Sequence, residues 1–131
     1  MTKRVFFIDD DAEDAGIFTD AISELSYDII VDHFDNGYRA LEKLVQPNNA
    51  EIPDIIFLDI NMPLLNGWEC LREIKKLSSA QQIPVIMYST ADFQDIGINA
   101  TDIGATAFIT KPNTYPELKV RLQELFNSIF P

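Results

Sequence analysis

The chain has 131 residues, of which 47% are hydrophobic and 24% charged, a composition typical of one soluble globular domain and not of a disordered chain. Its 21 Asp and Glu residues against 10 Lys and Arg give a net charge of −11, which disfavours direct binding to nucleic acid or to an anionic membrane surface. The chain has no apolar run near the ~20 residues of a membrane span, and the single cysteine, Cys70, excludes a disulfide framework and favours a reducing, cytoplasmic compartment.

The first half of the chain alternates between strand and helix patterns. Short apolar runs rich in β-branched and aromatic residues predict strands at residues 4–8 and 28–34. Apolar residues at helical spacing predict a helix over 11–25 and another that begins at Asn36-Gly37 and ends at Pro47.

The middle of the chain continues the same alternation. Residues 55–58 are four consecutive apolar residues, which predicts a strand buried on both faces, as in a parallel sheet. Asn66 and Glu69 have the spacing of a capping box, and apolar residues at helical spacing follow them as far as Leu77. Another buried strand is predicted at 84–88.

The last part of the chain completes five strand–helix units. Residues 93–103 predict only a weak helix because Gly97 lies inside it, at a cost of about 1 kcal/mol. A strand follows at 106–110, and Thr114 with Glu117 predicts the capped start of the last helix, whose apolar positions are Leu118, Leu122, Leu125 and Ile129. Alternating short strands and helices predict an α/β doubly wound fold, a parallel sheet covered on both faces, in one domain over 1–131 with no effector domain.

Polar side chains directly follow the predicted strands. Ligands of an open parallel sheet bind beyond the carboxyl ends of its strands. The residues after the first, third, fourth and fifth strands include Asp9, Asp10 and Asp11; Asp59 and Asn61; Ser89 and Thr90; and Thr110, Lys111 and Pro112. We therefore expect carboxylates, hydroxyls and one lysine to meet at one edge of the sheet.

This set of side chains restricts the chemistry of the site. Several neighbouring carboxylates stay ionised together only beside a cation, and ligands that are all oxygen favour Mg²⁺. Lys111 and Ser89 suit the oxygens of a phosphoryl group, and Asp59 is a carboxylate that can attack phosphorus. The residues alone thus predict Mg²⁺-assisted phosphoryl transfer to Asp59.

Simpler interpretations exist for single residues. An Asp-Asp pair after a strand is as often a turn as a metal site, and Asp11 is better placed as a helix cap than as a ligand. His33 and Cys70 are interpreted as structural. A calcium loop of the EF-hand type is excluded, because the sixth and twelfth positions counted from Asp9 are Asp14 and Asp20 instead of Gly and Glu.

Four segments together resemble the receiver domain of two-component response regulators. They are VFFIDDD at 5–11, PDIIFLDINMP at 53–63, PVIMYS at 84–89 and ITKP at 109–112, and they cover nearly the whole chain in matching order and spacing. The resemblance implies a flavodoxin-like sheet with strand order 2-1-3-4-5 and five helices.

The resemblance also implies a role for each site residue. Asp59 matches the phosphoacceptor, Asp10 the direct Mg²⁺ ligand and Asp9 the acid that acts on the metal through water. Asn61 matches the position whose backbone carbonyl completes the metal site, and Mn²⁺ is expected as a substitute for Mg²⁺.

Three further positions match the family's switch and phosphate-binding residues. Ser89 matches the switch hydroxyl, Lys111 the lysine that pairs with the phosphate, and Phe108 the switch aromatic residue. The resemblance places a cis peptide bond between Lys111 and Pro112.

The expected phosphoryl donor is a histidine kinase or a histidine phosphotransfer protein. The expected output is an unknown protein that binds the face formed by the fourth helix, the fifth strand and the fifth helix. The chain is expected to catalyse only its own phosphorylation and dephosphorylation and to be no enzyme otherwise.

Three alternatives remain open from the sequence. A phosphohydrolase of the haloacid dehalogenase type is typically marked by Asp-x-Asp on its first strand, where the second Asp is the general acid. Here the candidate nucleophile follows the third strand, and the residue two beyond it, Asn61, cannot act as an acid. A pseudo-receiver that takes no phosphate is usually marked by the loss of a site residue, and here all are present. A receiver cut from a longer regulator is the third alternative.

Overall fold

Five parallel strands form one sheet. The computed structural model describes residues 2–45, 51–90 and 104–130. The strands are β1 (Lys3–Ile8), β2 (Ile29–Phe34), β3 (Ile55–Leu58), β4 (Val85–Ser89) and β5 (Ala107–Thr110). They lie in the order β2-β1-β3-β4-β5, and every neighbouring pair is parallel. The doubly wound class and the strand order are therefore confirmed, and each strand starts and ends within one residue of its predicted position.

Four helices lie within the described ranges. They are α1 (Ala12–Ser23), α2 (Gly37–Val45), α3 (Gly67–Lys76) and α4 (Tyr115–Ile129). The fourth predicted helix, at 93–103, falls on residues outside those ranges. Among the helices that the structure does describe, none has the length and apolar character needed to cross a membrane.

Side chains alternate between two cores, one on each face of the sheet. Phe6, Ile8 and Leu58 point to the face covered by α2 and α3, and the side chains of Phe7 and Phe57 point to the face covered by α1 and α4. All four residues of β3 are fully buried, as the sequence predicted, because helices cover the sheet on both sides. The sheet is thus a rigid support for the residues that follow its strands.

The predicted helix starts are largely confirmed. Asp11 caps α1 by accepting hydrogen bonds from two backbone N–H groups, and Asn66 and Glu69 form the reciprocal capping box of α3. At the start of α4, the Thr114 side chain accepts a hydrogen bond from the Glu117 N–H. These caps set where each helix begins after the site-bearing loops.

The buried face of α4 differs in part from the prediction. Leu118 and Leu122 are buried as expected, but the third buried residue is Phe126, and Leu125 and Ile129 are only partly buried. A straight helix repeats its buried face every three to four residues, and the large Phe126 ring reaches the core better, packing edge-on against Phe57 with ring centroids 6.2 Å apart.

Gly67 lets α3 begin in direct contact with the loop after β3. Its N–H donates a hydrogen bond of 2.8 Å to the Ile60 carbonyl. A Cβ atom at this position would lie 2.2 Å from the Asp59 carbonyl oxygen and 2.7 Å from the Ile60 Cα, and both of these are backbone atoms. Any larger residue at 67 must therefore displace the backbone of Asp59.

We expect Gly67→Ala to lower the free energy of unfolding by about 2 kcal/mol or more, since backbone cannot move aside as a flexible side chain does. The matched control is Gly16→Ala within α1, where nothing lies within 4 Å of the added Cβ. That control should raise stability by about 0.5–1 kcal/mol, as alanine favours a helix over glycine. Urea denaturation of both variants measures the difference, and a Gly67→Ala variant as stable as wild type would contradict the close contact.

Candidate functional site

The pairing of β1 with β3 brings two aspartates side by side. Ile8 and Leu58 are register partners at the ends of these strands, and the Asp59 N–H donates a hydrogen bond of 2.9 Å to the Ile8 carbonyl. The next residue after Ile8 is Asp9. One carboxylate oxygen from each of Asp9, Asp10 and Asp59 lies within 4.8 Å of the others. The structure therefore brings together the three acids that the sequence placed at this edge.

The two strand-end carboxylates are buried and held by backbone groups. Asp9 is 1% exposed and Asp59 is 7% exposed, whereas Asp10 is open to solvent. The Asp11 N–H donates to Asp9 Oδ1 at 2.9 Å, and the Ile60 N–H donates to Asp59 Oδ1 at 2.9 Å. Each buried acid therefore has one oxygen fixed by the backbone.

His33 supports the site from β2. Its Nε2–H donates a hydrogen bond of 2.7 Å to the backbone carbonyl of Asp9. The imidazole thus holds the main chain at the end of β1, which agrees with the structural role predicted for the only histidine of the chain.

Lys111 enters the site from the end of β5. Its N–H donates to the Ser89 carbonyl at 2.8 Å, which keeps the ends of β4 and β5 together. Its Nζ lies 2.8 Å from Asp9 Oδ2 and 2.6 Å from Asp14 Oδ2. Ser89 is fully buried at the end of β4. Lys111 and Asp9 are therefore directly paired, as expected for a site that concentrates charge.

Asp14 is a member of this charged cluster that the sequence analysis missed. From the sequence, Asp14 was considered only as the residue that replaces the required glycine of an EF-hand loop. Its position in the first turn of α1, on the helix that begins directly after the Asp9-Asp10 pair, was the available signal. That it reaches Lys111, almost a hundred residues away along the chain, follows only from the packing of α1 beside the loop after β5.

Burial and mutual repulsion control the ionisation of these acids. Burial, followed by the charge of Asp9, raises the pKa of Asp59 to about 6, although Lys111 and the Ile60 N–H act in the opposite direction. Burial also raises the pKa of Asp9. For Lys111, burial alone would lower the pKa, but its hydrogen bonds to Asp14 and Asp9 outweigh burial and raise it, so this side chain remains a cation.

The donor atoms of the cluster fit a hard divalent cation. All are oxygens, and the buried, mutually repelling carboxylates of Asp9 and Asp59 would gain from a positive charge between them. Asn61 lies two residues beyond Asp59 in the loop after β3, and its backbone carbonyl is a further oxygen of the same hard type.

The remaining predicted residues have mixed outcomes. Phe108 is half-buried in β5, where it packs against the core on the α2–α3 face. Asp11 is a helix cap, as interpreted from the sequence. The Lys111–Pro112 bond is trans, so the implied cis bond is wrong for this structure; trans is the intrinsically favoured isomer even before proline.

The sheet order β2-β1-β3-β4-β5, with acids and a lysine at the carboxyl ends of its strands, defines a flavodoxin-like α/β protein with a site at its switch point. The family model of the response regulator receiver domain matches residues 5–123. The chain belongs to the response regulator receiver domain family.

Two curated relatives illustrate the family. The chain is 35% identical over 112 residues to the chemotaxis protein CheY of Thermotoga maritima, covering 86% of this chain and 88% of that protein. It is 36% identical over 112 residues to the protein-glutamate methylesterase/protein-glutamine glutaminase of Bacillus subtilis, covering 84% of this chain but only 29% of that protein. The chain thus spans less than a third of the length of the methylesterase.

A solved structure shows the same architecture. The crystal structure of the phosphorylated cyanobacterial phytochrome response regulator RcpA has a TM-score of 0.86 and 27% sequence identity to this chain. The match covers 99% of this chain and 95% of RcpA. The similarity therefore extends over the whole receiver fold.

The raised pKa of Asp59 predicts an unusual pH dependence of stability without metal. The pKa of Asp59 is about 6 in the folded protein against 3.8 for a free side chain, so protonation of Asp59 stabilises the folded state. This stabilisation is complete below about pH 4 and is lost as the pH rises through 6. One pKa unit corresponds to about 1.36 kcal/mol, so up to about 3 kcal/mol is lost by pH 7.5.

Asp59→Asn should therefore be more stable than wild type at pH 7.5 in a chelator, and about equally stable near pH 4. Urea denaturation across this pH range measures the gap, and Mg²⁺ should narrow it at pH 7.5 by stabilising wild type. Asp20→Asn, which removes an exposed acid of α1, is the control and should leave the pH dependence unchanged. A constant difference between Asp59→Asn and wild type at all pH values would contradict the electrostatic account.

Proposed function

We propose that the chain is a phosphoacceptor in a two-component or phosphorelay system, in which Asp59 receives a phosphoryl group from a phosphohistidine. The observation that carries this proposal is the buried Asp59 carboxylate within 4.8 Å of the Asp9 and Asp10 carboxylates, beside the Lys111–Asp9 pair. The donor would be a histidine kinase or a histidine phosphotransfer protein. The phosphorylated state of the similar regulator RcpA supports the same chemistry here.

In the proposed reaction, an oxygen of Asp59 attacks the phosphorus and the P–N bond to the donor imidazole breaks, with the bonding electrons passing to the imidazole nitrogen. Asp59 must be ionised to attack, and a pKa of about 6 leaves most of it as carboxylate at neutral pH. Burial removes much of the water around this oxygen, which makes the fixed charges nearby more effective.

The metal would be Mg²⁺, with Mn²⁺ as a substitute. Asp10, Asp59 and the Asn61 backbone carbonyl would hold it directly, and Asp9 would act through a water molecule. When bound, Mg²⁺ supplies positive charge that compensates the oxygens of the phosphoryl group and the clustered carboxylates.

Lys111 and Ser89 would bind the oxygens of the phosphoryl group once it is on Asp59. Lys111 is a cation at the end of β5, and Ser89 is a buried hydroxyl at the end of β4, one strand away from Asp59. Movement of Ser89 toward the phosphate would leave space for Phe108 to turn inward, since both residues lie on neighbouring strands. Phosphorylation would thus shift the equilibrium between two conformations of Ser89 and Phe108.

The output would be an unknown partner protein that binds the predicted face to which β5 and α4 belong; the fourth predicted helix of that face, at 93–103, lies outside the described residues. Direct binding to nucleic acid or to membranes is not part of the proposal, because the net charge is −11. The chain would act in the cytoplasm and would catalyse only its own phosphorylation and dephosphorylation.

Asp59→Asn should abolish phosphorylation. Incubation with Mg²⁺ and acetyl phosphate should add one phosphoryl group to wild type, measured by intact mass. Of the two buried acids in the cluster, Asp9 already pairs with Lys111, which leaves Asp59 as the proposed nucleophile. Asp20→Asn is the control and should be labelled like wild type. Equal labelling of Asp59→Asn and wild type would assign the phosphate elsewhere, and unlabelled wild type under conditions where it binds Mg²⁺ would favour a pseudo-receiver.

Asp10→Ala should weaken Mg²⁺ binding by about tenfold or more and reduce phosphorylation in parallel, because a carboxylate ligand is lost. Trp68 is half-buried and directly follows Gly67, whose backbone touches that of Asp59, so its fluorescence is a suitable reporter of Mg²⁺ binding. Calorimetric titration gives an independent affinity. Asp20→Ala is the control, and unchanged Mg²⁺ affinity in Asp10→Ala would remove Asp10 from the metal site.

A further inference from the structure

Lys111 is shared between two carboxylates in this structure. Its ammonium group can donate three hydrogen bonds, and two of them go to Asp9 Oδ2 at 2.8 Å and Asp14 Oδ2 at 2.6 Å. The ring of Tyr88 lies on a further side, with its centroid 5.5 Å from Nζ. Asp59 is not an ion-pair partner of Lys111 within the described part of the chain. The ammonium group of Lys111 is therefore held between Asp9 at the end of β1 and Asp14 in α1.

The position of Asp14 is firmly set by α1. Its N–H donates a hydrogen bond of 3.2 Å to the capping carboxylate of Asp11, which fixes the backbone in the first helical turn. Its side chain lines a groove of about 290 Å³ together with Tyr88, Lys111 and Pro112. Because the helix holds the Asp14 backbone in place, the pair separates only when one of the two side chains moves.

The two partners of Lys111 differ in their relation to the metal site. Asp9 belongs to the carboxylate group that can hold a cation, whereas Asp14 does not. A cation at that group compensates the negative charge of Asp9 and thereby weakens the attraction between Asp9 and Lys111. Asp14 has no such compensation and remains the competitor for the lysine.

We propose that Asp14 is a positioning residue that competes with the phosphoryl group on Asp59 for the Lys111 ammonium and so weakens the phosphate-bound state. This inference rests on the proposed phosphoacceptor function. In the proposed exchange, the Lys111 ammonium moves away from Asp14 to donate to the phosphoryl oxygens, and it returns to Asp14 when the phosphate is gone. The acid thus sets how strongly the site holds phosphate.

Beryllofluoride with Mg²⁺ is the probe, because it imitates a phosphoryl group on a carboxylate. Asp14→Asn should bind it about fivefold more tightly than wild type, since the competing charge-assisted hydrogen bond is weakened. Glu13→Gln is the matched control, because it removes the same charge from the neighbouring exposed position of α1. Glu13→Gln should change the affinity by less than about twofold.

The metal-free protein gives a second measurement that does not depend on phosphate. Asp14→Asn should lower the folding equilibrium constant about fivefold more in wild type than in a Lys111→Met background, because these residues form a direct pair. An equal effect in both backgrounds would mean that Asp14 acts through helix α1 alone, which would overturn the proposal.

The remaining outcomes distinguish a wrong role for Asp14 from a wrong phosphoacceptor function. Equal affinity of Asp14→Asn and wild type for beryllofluoride, or equal gains in Asp14→Asn and Glu13→Gln, would overturn the role of Asp14 alone. Failure of wild type to bind beryllofluoride in the presence of Mg²⁺ would overturn the proposed function together with this inference.

Discussion

Two buried aspartates with like charge lie at the ends of neighbouring parallel strands, and the arrangement of the site depends on that contact. Asp9 and Asp59 are 1% and 7% exposed, and burial together with the charge of Asp9 raises the pKa of Asp59 to about 6. Such a pair is unfavourable unless positive charge lies nearby. Lys111 supplies one positive charge, and the oxygen-rich cluster is suited to a divalent cation.

The fold tolerates this unfavourable pair because the strands that carry it are rigid. β3 is completely buried, and Phe7, Phe18, Phe57 and Phe126 pack with one another on the α1–α4 face. Hydrogen bonds at the strand ends hold the acids in place, since the Asp59 N–H donates to the Ile8 carbonyl and the His33 Nε2–H donates to the Asp9 carbonyl. Energy gained in the core thus maintains a charge arrangement that the acids alone would not adopt.

The family assignment agrees with this division between scaffold and site. Similarity to CheY of Thermotoga maritima extends over 88% of that protein, whereas the match to the methylesterase of Bacillus subtilis is confined to 29% of its length. The receiver fold therefore occurs in relatives of quite different length.

Much of the fold and most of the candidate site could be predicted from the sequence, because they depend on local patterns. Four consecutive apolar residues at 55–58 can be satisfied only by burial on both faces, and Asn66 with Glu69 is a local capping signal. Since parallel strands end at one edge, Asp9, Asp10, Asp59 and Lys111 were expected to meet there.

Contacts between distant segments were decided by the tertiary structure. Asp14 pairs with Lys111, Phe126 replaces Leu125 in the α4 core, and Gly67 abuts the backbone of Asp59. Each depends on how a helix lies against its neighbours, within distances of a few ångströms that no periodicity specifies. Sequence periodicity determines which face of an element is buried, whereas the packing of α1, α3 and α4 against the sheet determines which particular atoms touch.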